Sequence, residues 1–96
     1  LGGIFVEILK DVSFRAILLS RYDAVTMIDQ IKASKLFEGV RGELPVDKDA
    51  LVDLLLTVSG IIENHPDISE LDLNPVIAYD KGYAIVDARI IVDQEK

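Results

Sequence analysis

The chain has 96 residues, with ten Lys and Arg against seventeen Asp and Glu, a net charge of −7 and no Cys. One hydrophobic core fits that length, and the acidic balance excludes a nucleic-acid binder, which needs a basic face. Disulfides and thiolate metal sites are excluded, and apolar runs such as Ile4-Phe5-Val6 and Ala16-Ile-Leu-Leu19 are too short to span a bilayer.

With no basic leader ahead of an apolar run, a cytoplasmic location is expected, with neither membrane nor nucleic acid as partner. Half the residues are hydrophobic and mean hydropathy is positive, so the chain should fold.

Ile4 to Ile8 and Val12 to Leu19 read as two strands joined by a turn around Leu9-Lys10-Asp11. Pairing them as a hairpin puts Ile4, Val6 and Ile8 with Val12, Phe14, Ala16 and Leu18 on a core face. The other face then carries Phe5, Glu7, Ser13, Arg15, Ile17 and Leu19. Asp23 reads as an N-cap, followed by Ala24, Met27, Ile28 and Ile31 at helical spacing. A loop with Gly39, Arg41, Gly42 and Pro45 comes next. Asp47 caps a second helix with apolar positions at Leu51, Leu54, Leu55, Val58 and Ile62, and Pro66 stops it.

The last third holds Glu70-Leu-Asp-Leu-Asn-Pro75, the turn signal Asp80-Lys81-Gly82 and Ala84-Ile-Val-Asp-Ala-Arg89. Alternation places Leu71, Leu73, Pro75, Ile77 and Tyr79 with Ala84, Val86, Ala88, Ile90 and Val92 on one face. Asp72, Asn74, Asp87 and Arg89 then share the opposite face, close enough to converge on one ligand. Oxygen donors gathered in this way suit a hard cation such as Mg²⁺, which keeps waters and substrate phosphates as further ligands. The bland alternative is that Asn74-Pro75 ends or bulges an edge strand.

The order β-β-α-α-β-β predicts an α+β fold, a four-stranded, mostly antiparallel sheet with both helices on one face. The helix-free face would mix charges with Phe5, Ile17, Leu19, Val76 and Ile85. Such a patch predicts cover by another domain or subunit, or self-association. Glu7 and Arg15 could form no more than a surface cross-strand pair, and Arg41 could be an exposed loop residue. His65, the single His, precedes Pro66 at a helix end and reads as a helix C-terminal residue.

Gly2-Gly3-Ile-Phe-Val-Glu7, Asp11-Val-Ser-Phe-Arg15, Gly39-Val-Arg-Gly42, Glu70-Leu-Asp-Leu-Asn-Pro75 and Asp87-Ala-Arg89 occur in this order across nearly the whole chain. Together they resemble the C-terminal part of the ATP-grasp region in ADP-forming acyl-CoA (acetate–CoA) ligases, relatives of the succinyl-CoA synthetase β subunit. The resemblance implies that residues 1–96 are a C-terminal ATP-grasp subdomain, a fragment of a longer chain and inactive alone. It implies that Asn74 and Asp87 hold Mg²⁺ at the phosphates of ATP or ADP, with Asp72, the motif acid two residues before the Asn, as a further metal residue. Arg15 would steady the transferred phosphate, and Glu7 and Arg41 would contact the cofactor or the neighbouring domain. The reaction implied converts acyl-CoA, ADP and phosphate into a carboxylic acid, CoA and ATP through a phosphohistidine carried elsewhere. The partners implied are nucleotide, the remainder of the ATP-grasp domain and a CoA-binding subunit or domain. Two other classes stay open: the ligase-like regulatory region of a protein lysine acetyltransferase, and an interaction module with a decayed site.

Overall fold

A computed structural model describes residues 6–9, 12–14, 18–37 and 46–93. The described residues form six short strands and two helices in the order β1 (Val6–Leu9), β2 (Val12–Phe14), α1 (Arg21–Phe37), α2 (Lys48–Asn64), β3 (Ile68–Leu73), β4 (Val76–Ala78), β5 (Tyr83–Ile85) and β6 (Ala88–Val92). The α+β class and the two adjacent helices are as the sequence predicts.

The strand arrangement differs from one four-stranded sheet. Two three-stranded antiparallel sheets form, ordered β1-β4-β5 and β2-β3-β6. The expected pairing of the first two strands with each other is replaced by pairing of each with the closing hairpin. Leu9 stands opposite Val76 and Val12 opposite Leu73, so both strands advance three residues between the sheets and the register carries on. Leu73 opposite Ala88 and Val76 opposite Ile85 continue in the same way on the other side. The two sheets are thus consecutive stretches of one three-strand arrangement, interrupted at Asn74-Pro75. Joining β1 to β2 by a tight turn would have left the closing hairpin with one edge unpaired. Lying along that edge, they pair its backbone over twice the length.

Helix α1 starts two residues before Asp23, the expected cap. Ser20 Oγ accepts from Asp23 N–H at 3.1 Å, and Asp23 Oδ2 accepts from Ser20 N–H at 3.0 Å. This reciprocal box satisfies two backbone donors at the helix entrance, which a lone Asp23 cap could not. The bonds from the Ser20 backbone and hydroxyl regions hold the Asp23 carboxyl below its ordinary pKa. Two exposed ion pairs, Arg21–Asp53 at 3.1 Å and Lys48–Asp29 at 2.8 Å, bridge α1 and α2.

Helix α2 forms as its periodicity requires, with Leu51, Leu54, Leu55, Val58 and Ile62 all buried and Val52 and Ser59 beside them. Leu51 and Leu55 lose all solvent contact, and their row joins Ala24 and Ile28 of α1 with Phe14, Ile68, Leu71, Leu73, Val76 and Ala78 in one core. The sequence pattern places Leu19 in the helix-free patch, but it packs against this core, and its N–H donates to Ser59 Oγ at 2.9 Å. That bond supplies the partner that a buried hydroxyl needs. Residues 18–20 are not strand, so the predicted second strand is shorter than Val12 to Leu19.

Burial along the closing hairpin also departs from simple alternation. Leu71 and Leu73 are buried as predicted, but beyond Asn74-Pro75 the buried positions are Val76 and Ala78, both without solvent contact, not Ile77 and Tyr79. Val76 therefore leaves the predicted patch for the core, and of that patch Ile85 remains exposed. Phe5 and Ile17 lie outside the described residues.

Asp47 joins α2 to the hairpin tip. Its Oδ1 accepts from Ala50 N–H at 3.2 Å and its Oδ2 from Gly82 N–H at 2.8 Å, while its own N–H donates to the Tyr79 carbonyl at 3.0 Å. Gly82 has φ of 79°, the left-handed region that an L side chain avoids, so the predicted turn glycine is used where φ must be positive. The bond from Gly82 first, and then that from Ala50, lowers the Asp47 pKa.

Two outcomes follow from this packing. Val76→Ala should cost about 2 kcal/mol in urea unfolding, whereas Ile77→Thr should cost less than about 1 kcal/mol. Equal costs would mean that the burial pattern does not shift at Asn74-Pro75. For Asp47, a lowered folded pKa means a contribution that is complete above the ordinary carboxylate pKa of about 4 and disappears as pH falls through the folded value. Asp47→Ala should therefore lower Tm at neutral pH, and the gap to the unaltered chain should close below about pH 4. A gap that is constant across a pH series of thermal melts would show that the charge plays no part.

Candidate functional site

Asn74 and Pro75 lie between β3 and β4, and Val86 and Asp87 face them between β5 and β6. Asn74 N–H donates to the Asp87 carbonyl at 3.1 Å, and Val86 N–H donates to the Pro75 carbonyl at 3.0 Å. Pro75 has no N–H to return, so the second pair shares a single bond and the regular ladder stops here. The Asn74–Pro75 peptide is cis. Register survives the interruption because these two bonds bridge it.

As a consequence Asn74 stands directly across from Asp87, and both are exposed. Asp87 Oδ1 also accepts from Ala88 N–H at 2.9 Å, which fixes the carboxylate against the start of β6. One ladder step along, Asp72 faces Arg89, and Arg89 Nη2 donates to Asp72 Oδ2 at 3.0 Å. The Asp72 side chain is mostly covered, at 21 % exposed, whereas that of Arg89 is 70 % exposed. The four residues that the hairpin pattern places together are therefore neighbours on two adjacent strands.

Chemically, the patch offers an amide oxygen and a carboxylate across one interstrand gap, with an ion pair beside them. Among the described residues no group of three or more His, Cys, Asp or Glu is arranged to hold a metal. A cage built wholly from protein is thus not what this surface supplies. An open pair of hard oxygen donors fits Mg²⁺ better, since that ion retains waters and takes phosphate oxygens from its substrate. Arg89 offsets the charge of Asp72, which leaves Asp87 as the carboxylate facing Asn74.

The other sequence candidates are placed less fully. Glu7 stands at the register position opposite Ile77, in the row alternate to the buried Val76 and Ala78. Arg15 and Arg41 lie outside the described residues. His65 caps the C-terminus of α2, with its N–H bonded to the Ile62 carbonyl and its carbonyl to Ile68 N–H. The anchoring of the hairpin by Asp47 escaped sequence reasoning, because nothing local signals that a helix cap will bind a turn 35 residues later.

Comparison with known proteins identifies the family. The profile of the ATP-grasp domain family matches residues 1–92. The β subunit of an ADP-forming acetate–CoA ligase II from Pyrococcus furiosus is 55 % identical over 95 residues, which is 96 % of this chain and 40 % of that protein. An ADP-forming acetate–CoA ligase I from Archaeoglobus fulgidus is 47 % identical over 99 % of this chain, which is 14 % of its own length. Among solved structures, acetyl-coenzyme A synthetase 1 of Ca. Korarchaeum cryptofilum superposes with a TM-score of 0.67 and 52 % identity, covering 85 % of this chain and 38 % of that one. That structure contains coenzyme A and Mg-AMPPCP, with a phosphohistidine segment pointing towards its nucleotide-binding site. The chain thus spans well under half the length of the relatives it matches.

The Asp72–Arg89 pair is partly solvent-exposed, so its net contribution to stability should be under about 1 kcal/mol. A double-mutant cycle with Asp72→Asn and Arg89→Ala, read by urea unfolding, should give a coupling within that bound. A much larger coupling would mark the pair as a structural tie and not a means of setting charge beside Asn74 and Asp87.

Proposed function

The chain belongs to the ATP-grasp domain family, and from that premise we propose that it forms the metal- and phosphate-facing wall of a nucleotide cleft in an ADP-forming acyl-CoA synthetase. The observation that carries the reading is the bond from Asn74 N–H to the Asp87 carbonyl, which sets two oxygen-donor side chains at one interruption of the sheet. Residues 1–96 act as the C-terminal ATP-grasp subdomain, and the remaining part of the cleft and the CoA-binding region are its partners in a cytoplasmic enzyme. The overall reaction turns acyl-CoA, ADP and phosphate into a carboxylic acid, CoA and ATP by way of a phosphohistidine.

Asn74 and Asp87 would hold Mg²⁺, whose chemistry when bound is to neutralise charge on the nucleotide phosphates. Phosphoryl transfer depends on positioning and charge neutralisation more than on covalent chemistry by the protein, so a wall with few, fixed donors suffices. The Asp87 carboxylate is held by Ala88 N–H. Asp72, expected as a further metal residue, has its carboxylate bonded to Arg89 and on this reading acts through it, keeping that guanidinium beside the donors and offsetting its own negative charge. Arg15 steadies the transferred phosphate, and Glu7 and Arg41 contact the nucleotide or the adjoining domain.

The test is a Mn²⁺ titration of the isotopically labelled chain by NMR, with and without ADP, repeated on Asn74→Ala. Broadening should centre on residues around Asn74 and Asp87, strengthen with ADP and weaken in the variant. Diffuse broadening over all the acidic residues, unchanged by the substitution, would overturn the assignment of the wall to this hairpin.

A further inference from the structure

Among the described residues strand β6 lies at the edge of its sheet, and every residue from Ala88 to Val92 is exposed. Ile90 stands opposite buried Leu71 and Val92 opposite buried Ile68, so both belong to the row that faces the core. They are nevertheless 52 % and 49 % exposed, and Ile91 in the other row is 39 % exposed. Edge strands are usually blunted by Lys, Pro or a bulge. Ala88–Val92 contains neither Lys nor Pro, and the irregularity of its ladder falls on the β3 side, at Ser69.

The backbone of β6 has a definite phase. Ser69 Oγ donates to the Ile91 carbonyl at 3.2 Å, and Asp93 N–H donates to the Asp67 carbonyl at 2.8 Å. Residues 91 and 93 therefore direct backbone groups at β3. By strand alternation, Ile90 and Val92 direct theirs away from the sheet.

We infer that β6 pairs with β6 of a second copy of this chain, antiparallel about a two-fold axis at Ile91. In that register Ile90 of one copy faces Val92 of the other, so the outward N–H and carbonyl groups of both residues find partners twice over. Arg89 faces Asp93 of the second copy, an opposite-charge pair that the symmetry repeats. The exposed Ile90 and Val92 rows become contiguous. Backbone phase allows the axis to move only by a whole residue, to Ile90 or Val92. At Ile90, Asp87 would face Asp93, two like charges. At Val92, Asp93 would face Ile91 and lose its basic partner. Charge and hydrogen bonding thus select one register.

The sequence has no Cys, so Ile91→Cys introduces a single thiol per copy. Across the two-fold axis, residue 91 forms a non-hydrogen-bonded pair with Cα atoms about 4.5 Å apart, inside the range a disulfide accepts. Under mild oxidation the variant should give a covalent dimer much faster than Val86→Cys, a control on an apolar residue that is more exposed than Ile91. Sedimentation equilibrium supplies a second arm. The unaltered chain should be dimeric, Asp93→Arg should weaken the dimer at least about tenfold, and Arg89→Asp/Asp93→Arg should recover it. Far-UV circular dichroism checks that each variant keeps its fold. A monomeric chain, cross-linking no faster than at Val86, or no recovery in the double variant would each overturn the pairing. A monomer would assign the edge to cover by another protein segment.

Discussion

The hairpin is organised by the absence of one donor. Pro75 cannot supply an N–H, and the ladder is bridged at that point by Asn74 N–H to the Asp87 carbonyl and Val86 N–H to the Pro75 carbonyl. These two bonds keep β3 and β6 in the register that β4 and β5 share, although regular strand stops on both sides. The interruption also moves the buried set from Leu71 and Leu73 to Val76 and Ala78, which lets both stretches contribute to one core. With that core fixed on either side, Asn74 and Asp87 have no apolar alternative and stay at the surface, opposite one another. A regular strand here would offer the ladder one more bond and no gap for two donors.

How much of this the sequence reveals depends on the range of the signal. Helix α2 is legible residue by residue, because Asp47, the apolar row from Leu51 to Ile62 and Pro66 all lie within one element. The turn at Gly82 and the pairing of Asp72 with Arg89 are equally plain, since the hairpin register is set by a local turn and by alternation. Local rules misplace the strands before α1. Neighbouring strands in sequence usually pair, yet Val6–Leu9 and Val12–Phe14 follow one another along β4 and β3. Nothing within residues 4–19 reveals a partner some 60 residues away. The burial shift is invisible for a different reason. Alternation carries a two-residue period through Asn74-Pro75, and only the three-dimensional course of the chain shows that Val76 replaces Ile77 in the core.

The site candidates divide along the same line. Asn74, Asp87 and Asp72 come from one hairpin, so a correct register is enough to bring them together. Arg89 shares their face in the sequence pattern, but its bond to Asp72 gives it a definite place. Glu7 needed the pairing of β1 with β4 to be known. Asp47 is the reverse case: easily read as a cap, it also binds Gly82 and so ties the hairpin tip to α2. The hairpin is thus braced at its tip by a helix cap and along its length by the core, while its open edge, β6, has no comparable support.

Charge supplies the last constraint. A chain of net charge −7 is a poor surface for a nucleotide polyphosphate unless positive charge intervenes. At the hairpin, Arg89 offsets Asp72, and beside that pair Asn74 and Asp87 are exposed across from one another. An amide is neutral, so the proposed metal-holding pair of Asn74 and Asp87 carries a single carboxylate. One negative charge is enough to favour a divalent cation and leaves half of the ion's charge for phosphate. With a second uncompensated carboxylate, the metal would be held more tightly but would neutralise less of the nucleotide. On the proposed reading the Asp72–Arg89 pair sets the charge of the wall, a role that its partly exposed position allows without a large stake in stability.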